Sequence, residues 1–233
     1  MLKDSDKKKL NQMLGELPND VTLVIFTRED CEYCKISLKL LEEIAGVNPK
    51  IKLEVHDAEK EKSLADKYRV DKLPAMIMRG ARDYNIRFFG VPSGYELVTL
   101  LQDISDVSRN DPKLPPEVVA KLKELTKPVH IEVLVTPTCP FCPAAVRVAH
   151  RFAMITDLVT ADMIEVSEFD DISVKYNVRG VPQTVINESI SLVGAHPEKT
   201  VLEKIFVAIR PVPWWKKLWR LLRKRRKARP ADR

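Results

Sequence analysis

At 233 residues the chain has room for two hydrophobic cores of about 100–120 residues each. Its 45% apolar and 31% charged residues are those of a soluble globular protein with somewhat elevated charge, and no stretch approaches the length of a membrane-spanning helix. The net charge of +6 is split: residues 211–233 carry ten Lys/Arg and one Asp, which leaves a net of −3 on the rest.

The elements follow in chain order. An amphipathic helix is predicted over about 4–17, a β-rich run over 21–26, and a polar turn then delivers Cys31 and Cys34. A helix over about 31–45, a strand at 51–56 and a short helix at 59–68 lead to Pro74. Strands at 75–79 and 85–89 read as a hairpin, and a helix over 93–106 closes the unit. Prolines 112, 115 and 116 then punctuate a linker. The same order recurs: helix about 116–126, strand 129–135, helix about 139–156, strand 162–166, helix 168–176, strands 183–187 and 190–193, helix 197–209.

An offset of 108 residues superposes the halves without a gap from the first helix to the strand after the proline. Val21, Leu23 and Ile25 fall on Val129, Ile131 and Val133; Lys67, Tyr68, Val70 and Pro74 fall on Lys175, Tyr176, Val178 and Pro182. This is an internal duplication. Strand–helix–strand connections imply parallel pairing, so each half is α/β in class, a small mixed sheet with helices on both faces. The expected division is 1–110, 111–210 and a basic, Trp-rich tail at 211–233.

Cys31-Glu32-Tyr33-Cys34 and Cys139-Pro140-Phe141-Cys142 hold the only cysteines, and Pro74 and Pro182 each lie 43 residues beyond the first cysteine of a pair. Cysteines three apart at a helix start can close a reversible disulfide, and the helix N-terminus favours a thiolate on the first. Local pairs Cys31–Cys34 and Cys139–Cys142 are expected. Zinc fits poorly, because ribbon sites place their second pair about 15–20 residues on. Here 104 residues intervene between Cys34 and Cys139, and His56, His130, His150 and His196 show no ligand spacing. A purely structural role is unfavourable too, since so small a loop constrains the unfolded chain little.

The order helix–strand–Cys-x-x-Cys helix–strand–helix–Pro–hairpin–helix resembles the thioredoxin/glutaredoxin pattern. Its duplication resembles the protein disulfide oxidoreductases of thermophilic archaea and bacteria, relatives of protein disulfide isomerase. The resemblance implies two thioredoxin folds and cis peptides at Leu73–Pro74 and Val181–Pro182, turns that hold substrate backbone against the reactive sulfur. It also implies a thiol–disulfide oxidoreductase that reduces, forms or isomerises disulfides in protein substrates. No metal or organic cofactor is called for, and electrons would pass to or from a thioredoxin-reductase-like flavoprotein. Two alternatives stand beside this. One is an electron carrier for a peroxidase, since the tandem fold also resembles the N-terminal part of the alkyl hydroperoxide reductase flavoprotein. The other is a tethered membrane or nucleic-acid interaction protein with vestigial redox sites.

The chain departs from the thioredoxin pattern in several places. Asp30 and Thr138 stand where thioredoxins have Trp, and Ile25 and Val133 where they bury Asp. A buried proton acceptor would come from elsewhere, with Glu132, Asp57 and Glu165 as candidates. Cys-Pro-Phe-Cys is close to the glutaredoxin Cys-Pro-Tyr-Cys, although glutathione use does not follow. Glu32 disfavours the Cys31 thiolate, partly offset by Arg28 and Lys35, whereas Pro140 and Phe141 add no charge; Cys139 is therefore expected to be the more acidic thiol. Tyr33 and Phe141 face either substrate or the helix.

Scarce glycine (7), with 16 prolines and high charge, hints at a thermophilic source. Met1–Asp20 has no apolar signal core, so a cytoplasmic location is expected. In the tail, Trp215, Leu218, Trp219 and Leu222 recur on one helical face beside Trp214, with Lys and Arg filling the rest. That pattern describes an interfacial helix on an anionic membrane, placing the protein at the inner face. Packing on the body, a solubilising run and, less favoured, a nucleic-acid arm are the other readings.

Overall fold

A computed structural model describes residues 10–210. Residues 10–14 form a helical turn whose Leu10 and Leu14, with Leu17, are buried. β1 (Val21–Thr27) is buried on both faces, as a continuous apolar run in a sheet interior requires. α1 (Glu32–Ala45) buries Cys34, Ser37, Leu41 and Ile44, one helical stripe, against that sheet. β2 (Ile51–Asp57), α2 (Lys62–Lys67), β3 (Ala75–Arg79), β4 (Asp83–Phe89) and α3 (Glu96–Arg109) complete the first repeat. α3 ends where Asn110 adopts the left-handed conformation, φ 51°, and the linker prolines follow.

The second repeat comprises α4 (Pro116–Lys123), β5 (Val129–Val135), α5 (Cys142–Ala153), β6 (Val159–Glu165), α6 (Asp170–Lys175), β7 (Gln183–Ile186), β8 (Ile190–Val193) and α7 (Glu198–Ala208). Several boundaries differ from the sequence expectation, and three of them have a visible cause. α5 begins three residues late, because Pro140 and Pro143 flank its start and the cysteine turn is not helical. α3 begins at Glu96, after a left-handed Gly94. β6 begins at Val159, three residues early, because Val159 pairs with Val129 across the β5 ladder.

Both repeats share one eight-stranded sheet in the order β2-β1-β3-β4-β6-β5-β7-β8. The repeats join where β4 and β6 run parallel, with Arg87 opposite Asp162 and Phe88 opposite Met163. One face carries α1, α3, α4, α5 and α7 over a common apolar core; the other carries α2 and α6 over a smaller one. Because β1, β2, β4, β5 and β6 all run one way and β3 and β7 the other, both cysteine turns, both proline turns and the segment after β4 gather at one end of the sheet.

Ionic networks lock the seam on each face. Beneath α2 and α6, the buried Arg87 is bidentate to the buried Asp162, 2.7 Å on each arm, and donates to the carbonyls of Tyr68 and Arg69. His130 Nε2 adds a contact to Asp162 at 2.7 Å. On the helical face, Arg147 of α5 pairs with Asp103 and Asp106 of α3, and His150 Nδ1 lies 2.6 Å from Asp103. Burial pushes Asp103 and Asp162 up, but these cations hold both carboxyls below the usual range.

Candidate functional site

Each cysteine pair forms a disulfide, with Cα–Cα distances of 5.1 Å for Cys31–Cys34 and 5.5 Å for Cys139–Cys142. In both, the first cysteine is the more accessible: Cys31 is 9% and Cys139 8% exposed, against 1% for Cys34 and 0% for Cys142. The less buried cysteine of each pair is the one positioned to meet an incoming disulfide, and the fully buried one can resolve it.

The first site is built on a helix N-terminus. Cys31 is the N-cap of α1, and its Sγ accepts from the Cys34 N–H at 3.0 Å. Glu32 is ion-paired with Lys35 at 2.9 Å, which neutralises part of its effect on the thiol. The second site lacks that support: α5 begins only at Cys142, Pro140 has no N–H to give, and Cys139 Sγ lies 3.6 Å from the Val181 carbonyl oxygen. A donor beside Cys31 and an acceptor beside Cys139 oppose the order of acidity expected from neighbouring charge alone.

The peptide bonds Leu73–Pro74 and Val181–Pro182 are both cis. Each proline carbonyl accepts from a glycine that follows the hairpin: Gly90 N to Pro74 O at 3.0 Å, and Gly194 N to Pro182 O at 2.8 Å. Tyr33 and Phe141, third in each motif, are exposed at 46% and 67%.

The carboxylates divide differently from the sequence expectation. Asp57 accepts from the Glu59 and Lys60 backbone N–H groups at 3.0 Å each, and those bonds hold it below the usual range, as in an ordinary turn. Glu132 is buried but committed to the Tyr176 hydroxyl. Glu165 is buried and accepts from Ser167 N at 3.0 Å.

Sequence reasoning missed Glu96, an unremarkable first-turn acid of α3. It is 1% exposed, and neither carboxylate oxygen has a hydrogen-bond partner. Burial, reinforced by Asp103 and only partly offset by the Thr99 hydroxyl, which is near but outside hydrogen-bonding geometry, pushes it to about 7. The preceding residue, Tyr95, donates its N–H to Pro137 O at 3.0 Å, and Val98 on the next turn shares a surface groove with Pro143 and Ala144. Glu96 therefore stands at the end of α3 that abuts the Cys139–Cys142 turn.

Among the described residues no cluster of His, Cys, Asp or Glu is arranged to hold a metal, and no helix is long and apolar enough to cross a membrane. A groove of about 1010 Å³ between α4 and α7, lined by Val118, Leu202, Phe206 and Val207, includes neither cysteine pair. Trp214, Trp215, Leu218, Trp219 and Leu222 lie outside the described residues.

The thioredoxin domain family matches residues 21–102 and 129–207, one stretch in each repeat. A protein disulfide oxidoreductase from Aeropyrum pernix has a similar structure, with a TM-score of 0.82 and 29% identity over 88% of this chain and 92% of that one. The N-terminal domain of the alkyl hydroperoxide reductase AhpF from Enterococcus faecalis is similar at a TM-score of 0.83 and 26% identity, covering 88% of this chain and all of that domain. An alkyl hydroperoxide reductase chain of Staphylococcus aureus is 28% identical over 80% of this chain and 34% of its own length; an NADH dehydrogenase of Bacillus subtilis is 26% identical over 78% and 33%. The chain thus spans about a third of the curated relatives it matches.

Proposed function

The chain belongs to the thioredoxin domain family and is a thiol–disulfide oxidoreductase; from that premise we propose that its two sites act on disulfides and dithiols of protein substrates. The observation that carries this reading is the arrangement repeated at each site: an accessible sulfur beside an exposed aromatic and a cis-proline turn, with its partner sulfur buried one turn deeper.

In reduction, the thiolate of Cys31 or Cys139 attacks a substrate disulfide, forms a mixed disulfide and expels one substrate thiolate. Cys34 or Cys142, once deprotonated, attacks the mixed disulfide and releases the second thiolate; the enzyme is left oxidised and the substrate reduced by two electrons. The reverse sequence forms disulfides, and partial cycles isomerise them. At the second site we propose that Glu96, buried at the end of α3 next to the cysteine turn, takes the proton of Cys142. The backbone at Leu73–Pro74 and Val181–Pro182 holds the substrate strand beside the outer sulfur. Electrons arrive from or leave to a flavoprotein reductase.

A second reading, an electron relay to a peroxidase, is favoured by the likeness to the N-terminal domain of AhpF. Insulin reduction measured against coupling to a peroxiredoxin separates the two: protein-disulfide turnover without peroxidase coupling supports the first, and the converse replaces it. We assign the folded units to 1–110 and 111–210, the protein to the cytoplasm, and the basic tail from 211 to anionic membrane surface.

A further inference from the structure

We propose that Glu168, a residue of the second repeat, is a positioning residue for the first redox site, holding the Gly90–Val91 backbone and through it the Pro74 turn. The inference rests on the reading that this turn binds substrate backbone.

The segment after β4 is bonded at three points. Gly90 N donates to Pro74 O at 3.0 Å, Val91 N donates to Glu168 Oε1 at 2.8 Å, and Tyr95 N donates to Pro137 O. The acceptor for Val91 thus comes from across the seam, three residues beyond the end of β6. Gly90 has φ +91°, and a Cβ there would fall 2.8 Å from Glu165 Cβ and 3.1 Å from Glu168 Cδ. Only glycine lets the chain pass beneath the carboxylate in this conformation.

The second site offers an internal control. Gly194 has nearly the same φ, +92°, and the same bond to its proline, yet a Cβ there would meet nothing within 4 Å. The clamp therefore belongs to the first site, although the proline–glycine bond is common to both.

Glu168 is an expensive side chain to hold there. Its Oε2 is buried without a partner, a cost that packing alone would remove through a less polar residue. Burial, with the Glu165 carboxylate adding and the Val91 N–H opposing, pushes its pKa to about 7. What the carboxylate provides in return is one strong acceptor for the amide next to the Pro74-bonded glycine.

The test uses the full chain with Cys139 and Cys142 both changed to Ser, so that only the first site turns over. Glu168→Ala should raise KM for insulin disulfides about tenfold, the loss of one buried hydrogen bond, and leave kcat within about twofold. Reduction of a small aromatic disulfide should be unchanged, since it needs no backbone contact. Glu168→Gln, whose amide oxygen can still accept from Val91 N, should stay within about twofold of the parent. Amide exchange at Val91 should accelerate in Glu168→Ala and not in Glu168→Gln. An unchanged KM in Glu168→Ala, equal loss on both substrates, or a Gln variant as impaired as the Ala variant each overturns the proposal. If the parent fails to turn over insulin, the protein-substrate reading is what falls. Val91 exchange then decides alone: acceleration in Glu168→Ala supports the clamp, and none overturns it.

Discussion

Replacing Glu96 by Gln should stabilise the oxidised protein in alkali and leave it nearly unchanged in acid. Glu96 is 1% exposed and its carboxylate oxygens are unpartnered, so ionising it in the folded state is opposed by desolvation. Its pKa is raised from 4.5 to about 7. Because the folded value lies above the ordinary one, the contribution of neutral Glu96 to stability is full below about 4.5 and is lost as pH rises through about 7. At about 1.4 kcal/mol per pH unit, that interval corresponds to about 3 kcal/mol at pH 9. Gln keeps the shape and never ionises. Denaturant titrations of the oxidised parent and Glu96→Gln, at pH 5 and pH 9, should show a gap under about 1 kcal/mol at pH 5. At pH 9 the variant should lead by about 3 kcal/mol, or about 6–12 °C in Tm for a chain this size. Other titrating groups are common to both proteins and cancel. The same substitution should abolish an inflection near neutral pH in the resolving step at Cys142. A stability gap that does not change between pH 5 and pH 9 would refute the argument, since Glu96 would then carry no pH-linked burial cost.

Three further outcomes are expected. Alkylation of the reduced protein across pH should show Cys31 reacting at lower pH than Cys139, because Cys31 caps α1 and accepts from Cys34 N while Cys139 lies against the Val181 carbonyl; the reverse order would mean that the charge of Glu32 dominates. Arg87→Leu strands Asp162, 1% exposed, with His130 as its remaining charged partner at the β4–β6 seam. It should destabilise the protein by about 3–5 kcal/mol in denaturant titration, and a loss under 1 kcal/mol would contradict a buried, compensated pair. All three tryptophans lie in the tail, so intrinsic Trp emission reports on it alone. Emission should shift to the blue with anionic vesicles and much less with neutral ones, and salt should reverse the effect; tight binding to nucleic acid with no response to vesicles would replace the membrane assignment.

The duplication was legible because strands such as Val21–Thr27 and Val129–Val135 are apolar runs buried on both faces, and the 108-residue offset lays one on the other. The cysteine pairs and their prolines were legible for the same reason: one spacing occurs twice. Pairing between repeats was not. Nothing local in β4 says that its neighbour is β6, so only the ladder shows that Arg87 and Asp162 stand opposite one another. Glu96 and Glu168 escaped for a related reason. A first-turn Glu and a Glu after a strand are usually solvated, and only long-range packing withdraws them from water. Asp57 shows the converse, since its position offered a buried base and the structure makes it a turn acceptor. The expected order of thiol acidity rests on the charge of Glu32, to which the structure adds a cap at Cys31 and a second helix that starts only at Cys142.

The continuous sheet makes the molecule a ruler. The strands that deliver the two cysteine turns, β1 and β5, are separated by β3, β4 and β6. Four interstrand steps of about 4.8 Å set the reactive ends about 19 Å apart, a span that about six residues of extended polypeptide bridge. A hinge between repeats would let that gauge vary, but backbone ladders fix it. One disulfide can therefore meet the two sites only in turn.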